Sequence, residues 1–364
     1  MTRWIWRICW LLLPAALLLR LFWPGAQVAI FALSALSLLP LAKAMGDATE
    51  ELSERVGSAI GALLNATFGN AAELILALFA LSRGHVALVK GSLTGSILAN
   101  LLLIGGMAIV AGGVRFPRLR FSRVTAGASV STMFLAMVAL AVPTMLATMG
   151  GAQAKARLLS EEIAAVLIIM YGLSLLFQLR TQKRMGEEPA DKPRLHATPG
   201  AGARPTGHEA PDKGWMRPVG KLVAAAAATA LASELLVASL EVTVHTLHLP
   251  EMFVGVVIIA IVGNAAEHST AVVFGRRGDL DVALGIAWES SRQIALFVAP
   301  VLVFAGLLLG APMDLAFTGF ECVAVGIAVF ATALIALDGE SHWLEGAFLV
   351  AVYLVLGIGF YFVS

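Results

Sequence analysis

The chain has 364 residues, of which 59% are hydrophobic and 13% charged, with a mean hydropathy of +0.86. A chain of this size and polarity is too apolar to fold as a water-soluble globule, which leaves a polytopic membrane protein. A net charge of +1, with the basic residues scattered through loops, argues against nucleic acid as a partner, and two cysteines in separate apolar segments build neither a disulfide framework nor a zinc site.

Runs of spanning length predict an all-α fold of about eleven transmembrane helices. They fall near 4 to 23, 26 to 45, 57 to 82, 90 to 112, 122 to 145, 160 to 180, 218 to 246, 252 to 275, 281 to 309, 313 to 337 and 343 to 362. The first run has no small-residue cleavage site behind it and reads as a retained span rather than a signal peptide. Residues 181 to 217 are rich in Pro, Gly and charge and read as a soluble linker. The domains expected are therefore an N-terminal helix (1–24), a five-helix repeat (25–180), a cytoplasmic linker (181–217) and a second five-helix repeat (218–364). Arg115, Arg118, Arg120, Arg123, the linker and Arg276-Arg277 all fall on one side. The positive-inside rule makes that side the cytoplasm, with the N-terminus inside and the C-terminus outside. An odd number of crossings per repeat forces the second repeat to enter from the opposite side, so the two are inverted.

The third and eighth runs carry the same pentapeptide, Gly69-Asn70-Ala71-Ala72-Glu73 and Gly263-Asn264-Ala265-Ala266-Glu267. The next charge after Glu73 is Arg83, ten residues on, or ~15 Å of helix, which places the carboxylate near mid-membrane. An ionisable group at that depth is costly and marks a functional site. Gly-Asn just before it is a poor helix former and predicts a break. Broken helices at matching places in inverted halves are the signature of a secondary transporter whose site lies at the repeat interface.

Two carboxylates, the amides of Asn70 and Asn264 and backbone groups at Gly69 and Gly263 form a hard-oxygen donor set. It suits Ca²⁺ better than a soft transition metal. Two ionised glutamates balance one divalent cation and two protonated ones balance none, so cation and protons compete for the same oxygens. Ser96 and Asn100 in the first half, and Ser290, Ser291 and Gln293 in the second, are small polar residues that either complete the shell or serve helix packing, as does Gly95. His268 follows Glu267 and titrates near neutrality, which suits a proton relay. Glu50, Glu234 and, seven residues on, Glu241 are candidates for the aqueous approaches.

Gly-Asn-Ala-Ala-Glu-Leu-Ile (69 to 75), Gly-Ser-Ile-Leu-Ala-Asn-Leu-Leu-Leu (95 to 103), Gly-Asn-Ala-Ala-Glu-His (263 to 268) and Gln-Ile-Ala-Leu-Phe-Val (293 to 298) together resemble the CAX-type calcium/proton exchangers of the cation/Ca²⁺ exchanger superfamily. The resemblance covers nearly the whole chain. It implies Ca²⁺/H⁺ antiport by alternating access in a multi-pass, bacterial-type plasma membrane, with no cofactor and with Ca²⁺ and protons as cargo. Glu73 and Glu267 would be the shared ligands, Asn100, Ser290 and Gln293 would lie near them, and Glu50 and Glu234 would line the approaches. The chain departs from the family pattern at Glu289-Ser290-Ser291-Arg292-Gln293, where an uncharged Gly-Ser-Ser-x-Gln is expected, and it lacks an acidic segment between the halves. Na⁺/H⁺, K⁺/H⁺ or Na⁺/Ca²⁺ exchange on the same architecture, and a passive channel, stay open at this point. An intramembrane hydrolase does not, since neither His-Glu-x-x-His nor Gly-x-Ser-x-Gly occurs.

Overall fold

The computed structural model describes residues 10–56, 58–149, 153–185 and 215–363. Its architecture is all-helical, as a lipid-embedded backbone requires when every buried N–H and C=O must be satisfied within the chain. The helices are α1 (Leu12–Phe22), α2 (Gln27–Val56), α3 (Ser58–Phe68), α4 (Ala71–Ser82), α5 (Val86–Gly113), α6 (Arg123–Thr148) and α7 (Gln153–Met185) in the first part. The second part contains α8 (Met216–Leu247), α9 (Glu251–Gly263), α10 (Ala265–Arg276), α11 (Leu280–Leu308), α12 (Gly319–Ala336) and α13 (Trp343–Val363). Among the described residues eight of these helices are long and apolar enough to cross a membrane, or nine if the bent pair α9–α10 is one span, while α1 and α4 are shorter. Residues 4 to 9 of the expected first span lie outside the described residues, as do 186 to 214 of the expected linker. At the linker's two ends α7 runs on to Met185 and α8 begins at Met216.

The two halves correspond element for element around the breaks. Ala71–Ser82 matches Ala265–Arg276, Val86–Leu98 matches Leu280–Gln293, and a stretch of wider π-helical turn, Ala99–Ile104, matches a second one at Ile294–Val298. Gly84 and Gly278, in the turns between paired elements, both take positive φ, 82° and 84°. Glu50 precedes Glu73 by 23 residues and Glu234 precedes Glu267 by 33, and most of this difference lies in α8, which runs from Glu234 to Leu247 before ending at left-handed His248, whereas α2 ends six residues after Glu50 at Val56.

The long helices α2 and α8 pack along each other. Connections expected on one side of the membrane meet one another. Leu119 and Arg120 pair antiparallel with Ser341 and Glu340, Asp281 accepts from the Ser122 backbone N–H at 2.6 Å, and Lys221 reaches Glu51 at 2.6 Å. At the other end Arg83 lies 3.5 Å from Glu234, His85 Nδ1 lies 3.1 Å from Glu251, and Lys90 pairs with Asp314 and donates to the Ala316 carbonyl.

Glycine sets the closest helix crossings. A β-carbon on Gly95 would lie 2.1 Å from the Val256 carbonyl oxygen, one on Gly91 2.9 Å from that of Met252, and one on Gly255 2.7 Å from that of Leu88. The backbones of α5 and α9 are thus in direct contact, an approach only residues without side chains permit. Gly95, which in the sequence reads equally as site or packing, is a packing residue. The counterpart of Gly255 in the first half is Gly61, and its β-carbon would lie 2.5 Å from the carbonyl oxygen of Ser53 at the end of α2.

Candidate functional site

Both expected breaks are present. Asn70 interrupts α3 and α4 with φ −104° and ψ 24°, Asn264 interrupts α9 and α10 with φ −90° and ψ 6°, and α9 and α10 are bent by 63°. Each glutamate then sits in the first turn of the helix that restarts, Glu73 in α4 and Glu267 in α10, where the helix dipole favours negative charge. Each glycine faces the other half across the break: a β-carbon on Gly263 would lie 3.4 Å from Glu73 Cγ and 3.5 Å from its Oε1, and one on Gly69 3.5 Å from Gln293 Oε1, ordinary contact distances that place both glycines against the site. Glu73 lies within electrostatic reach of Glu267.

Around the carboxylates a network of buried amides and hydroxyls joins the halves. Asn264 is 1% exposed and donates from Nδ2 to Ser96 Oγ at 2.8 Å and to the Ala260 carbonyl at 2.9 Å. Asn100, fully buried in the π-helical turn of α5, donates to Asn264 Oδ1 at 3.3 Å and to Ser290 Oγ at 3.0 Å. Asn70, also 1% exposed, donates from Nδ2 to Gln293 Oε1, and its Oδ1 lies 3.5 Å from Ser290 Oγ. Ser290 in turn hydrogen-bonds Glu267. One carboxylate oxygen of each glutamate, Oε2 of Glu73 and Oε2 of Glu267, is buried without a protein hydrogen-bond partner, and so is Oδ1 of Asn100. A buried oxygen left unpaired is costly unless something else satisfies it. Oxygen acceptors from both repeats thus converge on one place with capacity for a proton or a cation.

The structure does not bring every candidate there. Ser291 turns its hydroxyl back to the Ala287 carbonyl at 3.0 Å, satisfied within its own helix. Glu50, Glu234 and Glu241 are exposed on α2 and α8, with Glu234 held by Arg83. His268 is 7% exposed and its Nε2 has no partner. Among the described residues no three His, Cys, Asp or Glu side chains converge as a tight metal site would have them, so the donors are two carboxylates among neutral amides and hydroxyls.

One feature escapes a reading of the sequence. Glu321, 1% exposed, accepts from Thr94 Oγ1 at 3.0 Å and forms a capping box with Thr318 at the start of α12; the Thr-x-x-Glu spacing is its signal. Glu289 and Arg292, three apart on one helix face and so expected to pair, do form an ion pair, and Glu289 also accepts from Gln293 Nε2 at 3.1 Å.

Helical repeats that meet at a buried pair of carboxylates between broken helices have the architecture of a secondary transporter. The Sodium/calcium exchanger protein family matches residues 26–180 and 218–362, and the chain belongs to that family. It is 43% identical over 338 residues to a Ca²⁺/H⁺ antiporter of Aphanothece halophytica, covering 92% of this chain and 91% of that one. It is 43% identical over 347 residues to a Ca²⁺/H⁺ antiporter of Synechocystis sp., covering 93% of each. Among solved structures it is similar to native YfkE, with a TM-score of 0.79 at 36% identity over 96% of this chain and 97% of that one.

Proposed function

We propose that this protein is a Ca²⁺/H⁺ antiporter working by alternating access, in which Glu73 and Glu267 bind either one Ca²⁺ or two protons. The observation that carries this reading is the pair of buried, unpartnered carboxylate oxygens, one from each repeat, at the two helix breaks. Two charges of −1 balance Ca²⁺ without help, and a protonated pair is neutral, so the site crosses the apolar core in either loaded form while the half-loaded forms are penalised. Asn70, with its Oδ1 turned inward, supplies a neutral oxygen of the kind Ca²⁺ takes in its six to eight positions. The names of the relatives support Ca²⁺ and H⁺ as the exchanged pair.

The unequal packing of the two broken spans supports alternation. In this state α9 is sealed on α5 through glycines, while α3 lies along α2. The inverted state would release α9 from α5 and bring α3 from α2 toward α11, so that the two sides open in turn, with Glu289 keeping that second contact from copying the one at Gly95. His268, next to Glu267, is placed to pass protons, and Glu50 and Glu234 to receive cations at opposite ends. The reading places the protein in the plasma membrane, its N-terminus cytoplasmic and its C-terminus outside.

The test is purified protein in proteoliposomes with an internal pH dye. A Ca²⁺ gradient should drive proton movement that is electrically silent or nearly so, and Na⁺ or K⁺ gradients should drive little. Cation flux indifferent to a pH gradient would replace the antiporter by a channel.

A further inference from the structure

Glu289 interrupts an otherwise close correspondence between the halves. Its counterpart in the first repeat is Gly95, where α9 crosses α5 with no room for a β-carbon. A side chain is possible in the second repeat because α3 lies along α2.

That side chain is wired to the site. The guanidinium of Arg292 bonds the Glu289 carboxylate. Gln293 donates to the same carboxylate from Nε2 at 3.1 Å and with its other end accepts from Asn70 Nδ2. An ionised carboxylate only accepts. Gln293 must therefore present its NH₂ to Glu289 and its carbonyl oxygen to Asn70, and Asn70 must present its NH₂ to Gln293. The Asn70 oxygen is left facing Ser290, the partner of Glu267. In the second repeat the polarity of Asn264 is fixed by a different acceptor-only atom, the Ala260 carbonyl oxygen, one turn back in its own helix.

We propose that Glu289 is a positioning residue of the cation site: through Gln293 it fixes which end of the Asn70 amide faces the cation. Arg292 keeps the carboxylate compensated at this depth, and its own charge is turned away to Glu289 rather than toward the transported ion. The pair, carried by the second repeat, thus orients the amide of the first repeat, which among the described residues is shown donating to Gln293 rather than to a backbone carbonyl. This inference rests on the antiport reading above.

Two substitutions and their combination separate orientation from charge balance. Apparent KM and Vmax for Ca²⁺ are measured in proteoliposomes for the wild type, Glu289→Gln, Arg292→Gln and the double variant. A glutamine at 289 either donates or accepts, so the polarity of the chain is no longer imposed. We expect Glu289→Gln to raise the KM for Ca²⁺ about tenfold, the scale on which residues orienting a metal ligand act, with Vmax close to wild type. The double variant, neutral and free of any unpaired charge, should keep the raised KM, and Arg292→Gln alone should stay near the wild-type KM. If Glu289→Gln fails to fold because Arg292 is stranded, the other two variants still decide. A double variant with wild-type KM would overturn the inference by showing that Glu289 merely neutralises Arg292. A wild type that moves no protons in response to Ca²⁺ would instead overturn the antiport reading itself, so the two failures are distinguishable.

Discussion

The two broken spans share a pentapeptide and a glycine eight residues upstream of it, Gly61 in α3 and Gly255 in α9, yet these glycines do different things. Gly255 lies against α5, where it and Gly91 and Gly95 bring two backbones into contact. Gly61 lies against Ser53, whose hydroxyl donates to the Gly61 carbonyl at 3.0 Å, tying α3 to the preceding helix. Near-identical local sequence thus supports two packings. For an alternating transporter this is a useful property, since each broken span must be able to change its neighbour, even though Glu289 keeps the second half from reproducing the seam at Gly95. A glycine surface makes both affordable because it fits a backbone from either neighbour without a rotamer to rearrange.

The largest effect expected is on the one element the halves share outright. Glu73→Gln and Glu267→Gln keep size and one oxygen but remove the charge that holds both cargo ions. Each should reduce Ca²⁺-driven proton flux to background while the protein elutes as a folded species. Substantial exchange in both variants would remove these residues from the site.

The next test attacks the asymmetry directly. A β-carbon on Gly61 would lie 2.5 Å from the Ser53 carbonyl oxygen and 3.2 Å from the Ser53 β-carbon, too close for any side chain. Gly61→Ala should therefore force α3 off α2 and slow Ca²⁺-driven proton flux in protein that still elutes as a folded species. Wild-type flux in this variant would show that the contact of α3 with α2 is dispensable.

A smaller, graded effect is expected at the other glycine seam. Gly95→Ala places a methyl group 2.1 Å from the Val256 oxygen, which must separate α5 and α9. Overpacking of this kind costs about 1–3 kcal/mol, to be read as a lower midpoint of thermal unfolding in detergent together with slower exchange. An unchanged midpoint would mean the seam is looser than its geometry indicates. The smallest effect should come from the segment between the halves: trimming several residues between 186 and 214 should leave exchange near wild type, and a marked loss in well-folded protein would identify that segment as regulatory.

Some of this was legible in the residues alone. Gly-Asn marked both breaks because those residue types are poor in a helix interior, and the duplicated Glu73 and Glu267 marked the site because a mid-membrane carboxylate needs a reason to be there. Other roles were not legible. Gly95 and Ser96 are neighbours of similar size, yet one packs a backbone and the other accepts from Asn264. Ser290 and Ser291 are identical letters, and only Ser290 reaches the site. Which neighbour belongs to the network depends on the helix face that meets the other repeat, and on π-helical turns that shift that face.

By itself, then, the sequence determined that the chain lives in a membrane, that its two halves repeat one pentapeptide, and that each copy sets a buried carboxylate just after a helix break. These follow from composition, the duplicated motif and the helix-breaking character of Gly-Asn, none of which needs a partner to be known. The tertiary structure alone decided which broken span is sealed and which is not, which way the amides of Asn70 and Asn264 point, and that Gln293 links Glu289 to Asn70. Those are properties of contacts between residues far apart in the chain. A close backbone approach, or a hydrogen bond that fixes the direction of the next, exists only once the two repeats have been brought together.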